Sequence, residues 1–415
     1  MDKQTDVVII GGGQAGLSVS YSLTQQGRPH LIVEKSSSLF PAWRSRWDSF
    51  TLVTPNWFVQ LPGKPYEGSD PDGFLSKREI VDYFENFVAS FKPEVRFETQ
   101  VTSIEKNKGG DGFLIRAGDN TILADNVVVA TGTFQTPRVP SFATALSRDL
   151  FQIHTNDYRN PESLPSGNAL VVGSSQSGGQ IAEELYQSGR KVYLSVGRAP
   201  GVPRRYRGKD MVFWMHELGL FDQSLDKLKS SRDRFAPNPR ISGKGGGRTL
   251  SLHRFAREGV VLLGHLEGVR DKTAFFAPDL KENLAKEEQF ATEMKEAVDK
   301  LILEKHLDAA QEDGQPEMRD GYDATVINNL DLDKAGVQTV VWATGYSFDF
   351  SWIKFPIFDD DHYPMQERGV SSIPGLYFVG LHWMHTRKSG LLYGVGQDAT
   401  HVAAHLAKFR GARPA

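Results

Sequence analysis

An α/β fold of two nested units, one inserted into the other, is what this chain of 415 residues predicts. Two glycine-rich turns each end a run of apolar residues, and two later segments repeat one return, a valine-rich run followed by Ala-Thr-Gly. A doubled strand-turn-helix of this size reads as two Rossmann-like dinucleotide-binding domains.

The first turn comes after Val7-Val8-Ile9-Ile10 and reads Gly11-Gly12-Gly13-Gln14-Ala15-Gly16, opening a helix with Leu17, Tyr21 and Leu23 on its apolar face. Gly11 permits the tight turn, Gly13 lets the backbone approach a pyrophosphate, and Gly16 lets the helix lie close to the strand. Gln14 and Ala15 begin a helix whose N-terminus favours negative charge. The next strand, Leu31-Ile32-Val33, ends in Glu34, a carboxylate placed to accept hydrogen bonds from an adenosine ribose.

The second turn comes after Ala169-Leu170-Val171-Val172 and reads Gly173-Ser174-Ser175-Gln176-Ser177-Gly178, with Ser175 where the first turn has its middle glycine. Ile181, Leu185 and Tyr186 continue the helix. The strand Val192-Tyr193-Leu194 leads to Arg198, with Arg204 and Arg205 beyond, and not to an acid. A 2′-phosphate repels carboxylate and pairs with guanidinium, so this unit is read as an NADPH site, with Arg198 and secondarily Arg204 on the phosphate. A solvated loop arginine is the other reading of Arg198.

The returns are Val127-Val128-Val129-Ala130-Thr131-Gly132 and Val340-Val341-Trp342-Ala343-Thr344-Gly345. Each is expected as a buried strand passing its nucleotide, which makes Thr131, Gly132, Thr344 and Gly345 candidate contacts. A last apolar strand over 375–380 ends in Gly380. The segment Gly390-Leu391-Leu392-Tyr393-Gly394 then leads to a helix over 399–406 that closes the first unit over its nucleotide. The predicted boundaries are 1–160 for the first part of the first-nucleotide domain, 161–335 for the NADPH domain with a helical insertion, and 336–415 for the second part of the first domain.

Composition excludes several chemistries. No cysteine occurs, so neither a redox dithiol nor a disulfide can form, and electrons must leave to oxygen, a quinone or a carrier protein. Absent thiols are compatible with a reducing cytoplasm, the expected location. A net charge of −3 gives no footprint for nucleic acid or an anionic membrane. The apolar runs are strand length, far below the roughly 20 residues of a membrane span, and residues 1–6 are no signal peptide because the first strand starts at once. His382 and His385 lack the cysteine or carboxylate set that would complete a metal shell, so no metal is predicted. No G-x-S-x-G elbow is present.

On these motifs the chain resembles the class B flavin-dependent monooxygenases, which include flavin-containing monooxygenases, YUCCA-type enzymes, N-hydroxylases and Baeyer-Villiger monooxygenases. The resemblance covers nearly everything outside 200–330. His154-Thr155-Asn156-Asp157-Tyr158 is similar to the second half of the family fingerprint FxGxxxHxxx(Y/W); Arg148 and Leu150 stand where the pattern has Phe and Gly. The final tyrosine leans away from the Baeyer-Villiger branch. The block from Trp43-Arg44 and Trp47-Asp48 through Thr54-Pro55-Asn56 to Asp82-Tyr83-Phe84 is similar to YUCCA-type and related bacterial sequences.

The resemblance implies FAD on the first unit beside Trp43 and Arg44, NADPH on the second, and O2 as co-substrate. It implies a C4a-(hydro)peroxyflavin that inserts one oxygen atom into a small organic substrate at nitrogen, sulfur or an activated carbon, a 2-oxo acid included. Asn56 is the polar candidate beside the reacting oxygen, with a turn asparagine as its other reading. Gln176 is a candidate at NADPH or the flavin edge, or else a solvent-facing helix start. His154 and Tyr158 orient the linker. His382, Trp383, His385, Arg387 and Lys388 precede Gly390 and offer a cation to the flavin edge, or simply pack a loop. Two other functions stay open: an NAD(P)H oxidase or reductase serving a quinone or protein carrier, favoured by the missing Phe and Gly, and a redox-sensing regulatory flavoprotein. Residues 279–306 form a charged helix with Leu280, Leu284, Met294, Val298 and Leu301 on one face, read as a surface helix, a lid or a homodimer contact. The loop at 243–248 is read as mobile, since GxxxxGK[ST] is absent.

Overall fold

A computed structural model describes residues 4–312 and 318–408; the outermost residues of the expected first and last segments, 1–3 and 409–415, lie outside it. Its largest sheet sets the strands Leu376–Phe378, Asn120–Val129, Gln4–Ile10, His30–Val33 and Val95–Arg96 side by side and parallel. Short antiparallel strands Gln366–Glu367 and Val370–Ser371 extend one edge; Phe113–Ala117 pairs antiparallel with the start of Asn120–Val129, and Ser103–Lys106 pairs antiparallel with Phe113–Ala117. Val7, Val8 and Ile9 are fully buried, as an unbroken apolar run covered on both faces requires. The helices Gln14–Gln25 and Val395–Lys408 pack together on this sheet.

The second sheet is wholly parallel, in the order Phe151–His154, Val337–Trp342, Asn168–Val172, Val192–Ser195, Val261–Leu263. This corrects two expected boundaries. A division at 160 assigns Phe151–His154 to the first unit, and one at 336 assigns Val337–Trp342 to its second part, yet both are strands of the second sheet. The cause is that an extra parallel strand precedes the second glycine turn, and the returning valines pair with it as well as with the turn's own strand. The passages between units therefore lie at 130–150 and 343–365, and they meet: Thr136–Pro137 pairs antiparallel with Tyr346–Ser347.

Local signals account for the flanking helices. Ser76 and Glu79 form a capping box that starts Lys77–Phe91, which buries Ile80, Phe84 and Phe87. Leu280–Lys305 buries Leu280, Leu284, Val298 and Leu301 of the face expected from spacing, and leaves Met294 half-buried. One apolar cluster joins Val7 and Ile9 of the first sheet to Ala169, Val171 and Ile181 of the second, so the units share a core.

Candidate functional site

The two glycine turns are near copies. Gly11 and Gly173 have φ of +110° and +104°, and a Cβ on either would lie 2.6 Å from the carbonyl oxygen of the alanine in its own Ala-Thr-Gly return, Ala130 or Ala343. Gly16 and Gly178 are tighter still: a Cβ there would lie 1.9 and 1.8 Å from the carbonyl oxygens of Gly11 and Gly173. Turn, return and helix are in backbone contact. A Cβ on Gly13, by contrast, would meet nothing within 4 Å. The helices that begin at Gln14 and Gln176 have no side-chain cap and no acid in the first turn. An uncapped helix leaves its first N–H groups and its partial positive charge for an anion, so both turns fit a pyrophosphate.

The strand ends beyond the two turns differ. Glu34 is buried, and its two oxygens accept from Gly12 N at 2.7 Å and Ser36 N at 2.8 Å. A carboxylate has about four acceptor positions, so capacity remains for ribose hydroxyls. In the second unit the corresponding bond is reversed in sense: Gly197 N donates to Ser174 Oγ at 3.2 Å, and the next side chain, Arg198, is exposed.

Each helix also opens with a glutamine that holds a distant segment. Gln14 Nε2 donates to Gly390 O at 2.8 Å while its Oε1 accepts from Trp43 Nε1 at 3.1 Å, bringing three candidates for the first nucleotide together. Gly380 lies against Ala15; a Cβ there would be 2.4 Å from the alanine Cβ. Gln176 Nε2 donates to Ile241 O, and its Oε1 accepts from Ile241 N at 3.1 Å. Sequence reasoning missed Arg240, next to that clasp. It is fully buried, donates to Ser174 O at 2.8 Å and pairs with Glu287, anchoring the second turn from behind. It comes after a Pro-Asn-Pro run that gave no such signal.

The two returns meet at the passages between units. Gln135 Nε2 donates to Thr131 Oγ1 and Gly132 O; Gly345 O accepts from Arg138 N at 2.9 Å and His154 Nε2 at 3.0 Å; Thr344 Oγ1 donates to Arg138 O. His154 Nδ1 accepts from Asn156 N, and burial lowers its pKa, so the neutral ring is the form held. Tyr158, fully buried, donates to Glu184 Oε2 at 2.9 Å; burial chiefly, then that carboxylate, push the phenol well above its usual range. The fingerprint half present here thus ties the second return to the second helix. Arg46, also unforeseen, sits over Phe134 at 4.8 Å with its Nε unpartnered, beside the same junction.

Four candidate side chains are engaged by other groups of the protein. The Asn56 amide is engaged by backbone: Nδ2 donates to Asp70 O and Oδ1 accepts from Leu75 N, both local loop contacts. Gln176 has both ends on Ile241, as above. Arg204 is buried, paired with Asp210 at 2.7 Å and donating to Val53 O, so its guanidinium is already engaged by the protein. Arg44 turns outward to Glu85 at 2.7 Å, with its guanidinium over Phe40. Ser175 and Ser177 remain at the helix start, and Leu391 packs against the apolar cluster that includes Phe58, Trp214 and Phe221. Lys388 is paired with Asp222 at 2.5 Å. Among the described residues no group of three or more metal-ligating side chains occurs, and no helix is long and apolar enough to cross a membrane.

Comparison with known proteins agrees with this architecture. Residues 8–213 match the family described as pyridine nucleotide-disulphide oxidoreductase. A CzcO-like oxidoreductase of Geobacillus kaustophilus is 34% identical over 97% of this chain and 98% of its own. The indole-3-pyruvate monooxygenase YUCCA1 of Oryza sativa is 32% identical over 46% of this chain and 47% of its own. A solved flavin-containing monooxygenase from Stenotrophomonas maltophilia shares the fold, with a TM-score of 0.66 at 18% identity over 99% of this chain and 100% of that one.

Proposed function

The chain belongs to the class B flavin-dependent monooxygenases, enzymes that use FAD and NADPH, and on that premise we propose that it places one oxygen atom from O2 on nitrogen, sulfur or an activated carbon of a small organic molecule. The observation that carries this reading is a pair of uncapped nucleotide turns, one answered by a buried carboxylate and one by an exposed arginine, in a chain without a single thiol. When bound, the two cofactors supply hydride transfer to a flavin and activation of oxygen. No dithiol can take those electrons onward.

The chain's own part is binding, orientation and exclusion of water. Glu34 accepts ribose hydroxyls on the first unit, and Arg198 takes the 2′-phosphate on the second. Gln14 fixes Trp43 and the Gly390 carbonyl at the first turn, which pins the closing segment over it. Next to that segment, Phe58 stacks on Tyr393 at 4.5 Å and meets Phe221 at 4.9 Å, an apolar wall that keeps solvent from a reactive centre.

The deciding experiment mixes NADPH-reduced protein with oxygenated buffer in the absence of substrate. The expected result is a spectrum that differs from both oxidised and reduced flavin and persists before hydrogen peroxide appears. Immediate return to the oxidised spectrum, with one peroxide per NADPH and no change on adding nucleophilic substrates, would overturn it. It would favour an NAD(P)H oxidase or reductase, the reading supported by buried Leu150 where the fingerprint has glycine.

A further inference from the structure

A cavity of about 430 Å3 lies between the end of Val192–Ser195, the helix Leu280–Lys305 and the segment 383–387 that runs toward Gly390. Its size is that of a small-molecule site, about 300–1,000 Å3. Arg198 lines it from the second unit and Arg387 from the segment closing the first. Among the described residues neither arginine has an ion pair; Arg387 keeps one long hydrogen bond, Nη2 to Asn238 Oδ1 at 3.4 Å. The carboxylates on the same walls are engaged: Glu287 by Arg240 at 2.5 Å, Asp233 by Ser230 N at 2.9 Å. Glu282, the acid that feels Arg198, is paired with Lys286.

Arg387 is not a loose surface side chain. Its own N–H donates to Gln223 O at 3.0 Å, the next residue's to Phe221 O at 3.2 Å, and Ser389 Oγ accepts from His385 N and Thr386 N. Trp383, in the same segment and on the same cavity, is held at φ +53°, a conformation a bulky residue keeps only where its surroundings fix it. Burial lowers the Arg387 pKa with nothing to offset it. A desolvated guanidinium on an anchored backbone, with no carboxylate beside it, is a site for an anion. The cavity starts where the 2′-substituent of a dinucleotide on the second turn belongs, past the strand that comes after the turn's helix.

We propose that this cavity takes the adenosine 2′-phosphate end of NADPH, and that Arg387 is a second arginine of that site, contributed by the segment that closes over the first nucleotide. This rests on the reading of the second turn as an NADPH site.

The test is calorimetric binding of adenosine 2′,5′-bisphosphate and of ADP to the FAD-loaded protein. Arg387→Ala is expected to weaken the bisphosphate about 10- to 100-fold, as loss of a charged hydrogen-bond partner does, and to leave ADP within about twofold. Arg387→Lys should recover part of the loss. If Arg198→Ala discriminates between the two probes while Arg387→Ala does not, this proposal falls and the NADPH site stands. If neither discriminates, the reading beneath it falls as well. Should Arg387→Ala fail to fold, a crystal structure of the unaltered protein with the bisphosphate decides: 2′-phosphate oxygens within about 4 Å of Arg387, the reach of an ion pair, support the assignment, and a greater separation overturns it.

Discussion

The first and second glycine turns are held by the same backbone contacts and yet are followed, one strand later, by opposite charges. In both, a glycine at positive φ abuts an Ala-Thr-Gly return, and a helical glycine touches the turn's own first carbonyl. These contacts leave no room for a Cβ, so they fix residue type whatever is bound. The residues one strand later are free of that constraint. There a buried Glu34 accepts from Gly12, whereas Gly197 donates to Ser174 and leaves Arg198 in the open. Shape is set by the turn, and the charge beside it by the end of the next strand.

The sharpest break in the comparison is between structural and ligand-facing glycines. Gly16→Ala or Gly178→Ala forces a Cβ to within 2 Å of a carbonyl oxygen and should cost about 3 kcal/mol or more, read as loss of soluble, folded protein or a large fall in Tm. Equal effects at both positions would confirm that the two turns bear the same load. Gly13→Ala should do the reverse: the apo fold changes by no more than about 1 kcal/mol, while the protein purifies colourless because the methyl stands where the pyrophosphate approaches. Ser175 already carries a Cβ at the matching place. A yellow Gly13→Ala protein would therefore mean that both turns hold their phosphates at the same distance.

Arg198→Ala tests the charge selector, and its expected effect is a rise of about 10- to 100-fold in KM for NADPH with KM for NADH nearly unchanged. A parallel rise for both would remove the arginine from the 2′-phosphate. The smallest effect concerns the linker. The folded-state pKa of His154 is lowered from 6.5, so its share of stability is complete above about 6.5 and is lost as pH falls through the lowered value. Replacing it with glutamine should flatten the dependence of Tm on pH between about 7 and 5, an effect within about 1 kcal/mol. An unchanged slope would assign that dependence to other histidines whose pKa burial also lowers, such as His30 and His382.

Glycine spacing and unbroken apolar runs are local requirements of backbone packing, so the doubled strand-turn-helix was legible in the residues alone. Gly11, Gly16, Gly173 and Gly178 could be read for that reason, and so could Glu34, one strand later. The absence of cysteine, and the redox chemistry it excludes, was equally plain. Where side-chain hydrogen bonds end was a matter for the folded chain. Asn56, Gln176 and Arg204 had suitable chemistry, but their partners, Asp70 and Leu75, Ile241, and Asp210, come from loops and a two-residue strand with no periodic signal. Arg240 had no motif to mark it, and Arg387 was marked only as one cation of the segment before Gly390; the surroundings of both come from segments far away in the chain. The unit boundaries moved for the same physical reason: a valine run is apolar in either sheet, and which sheet it joins is settled by the strand already waiting at the edge.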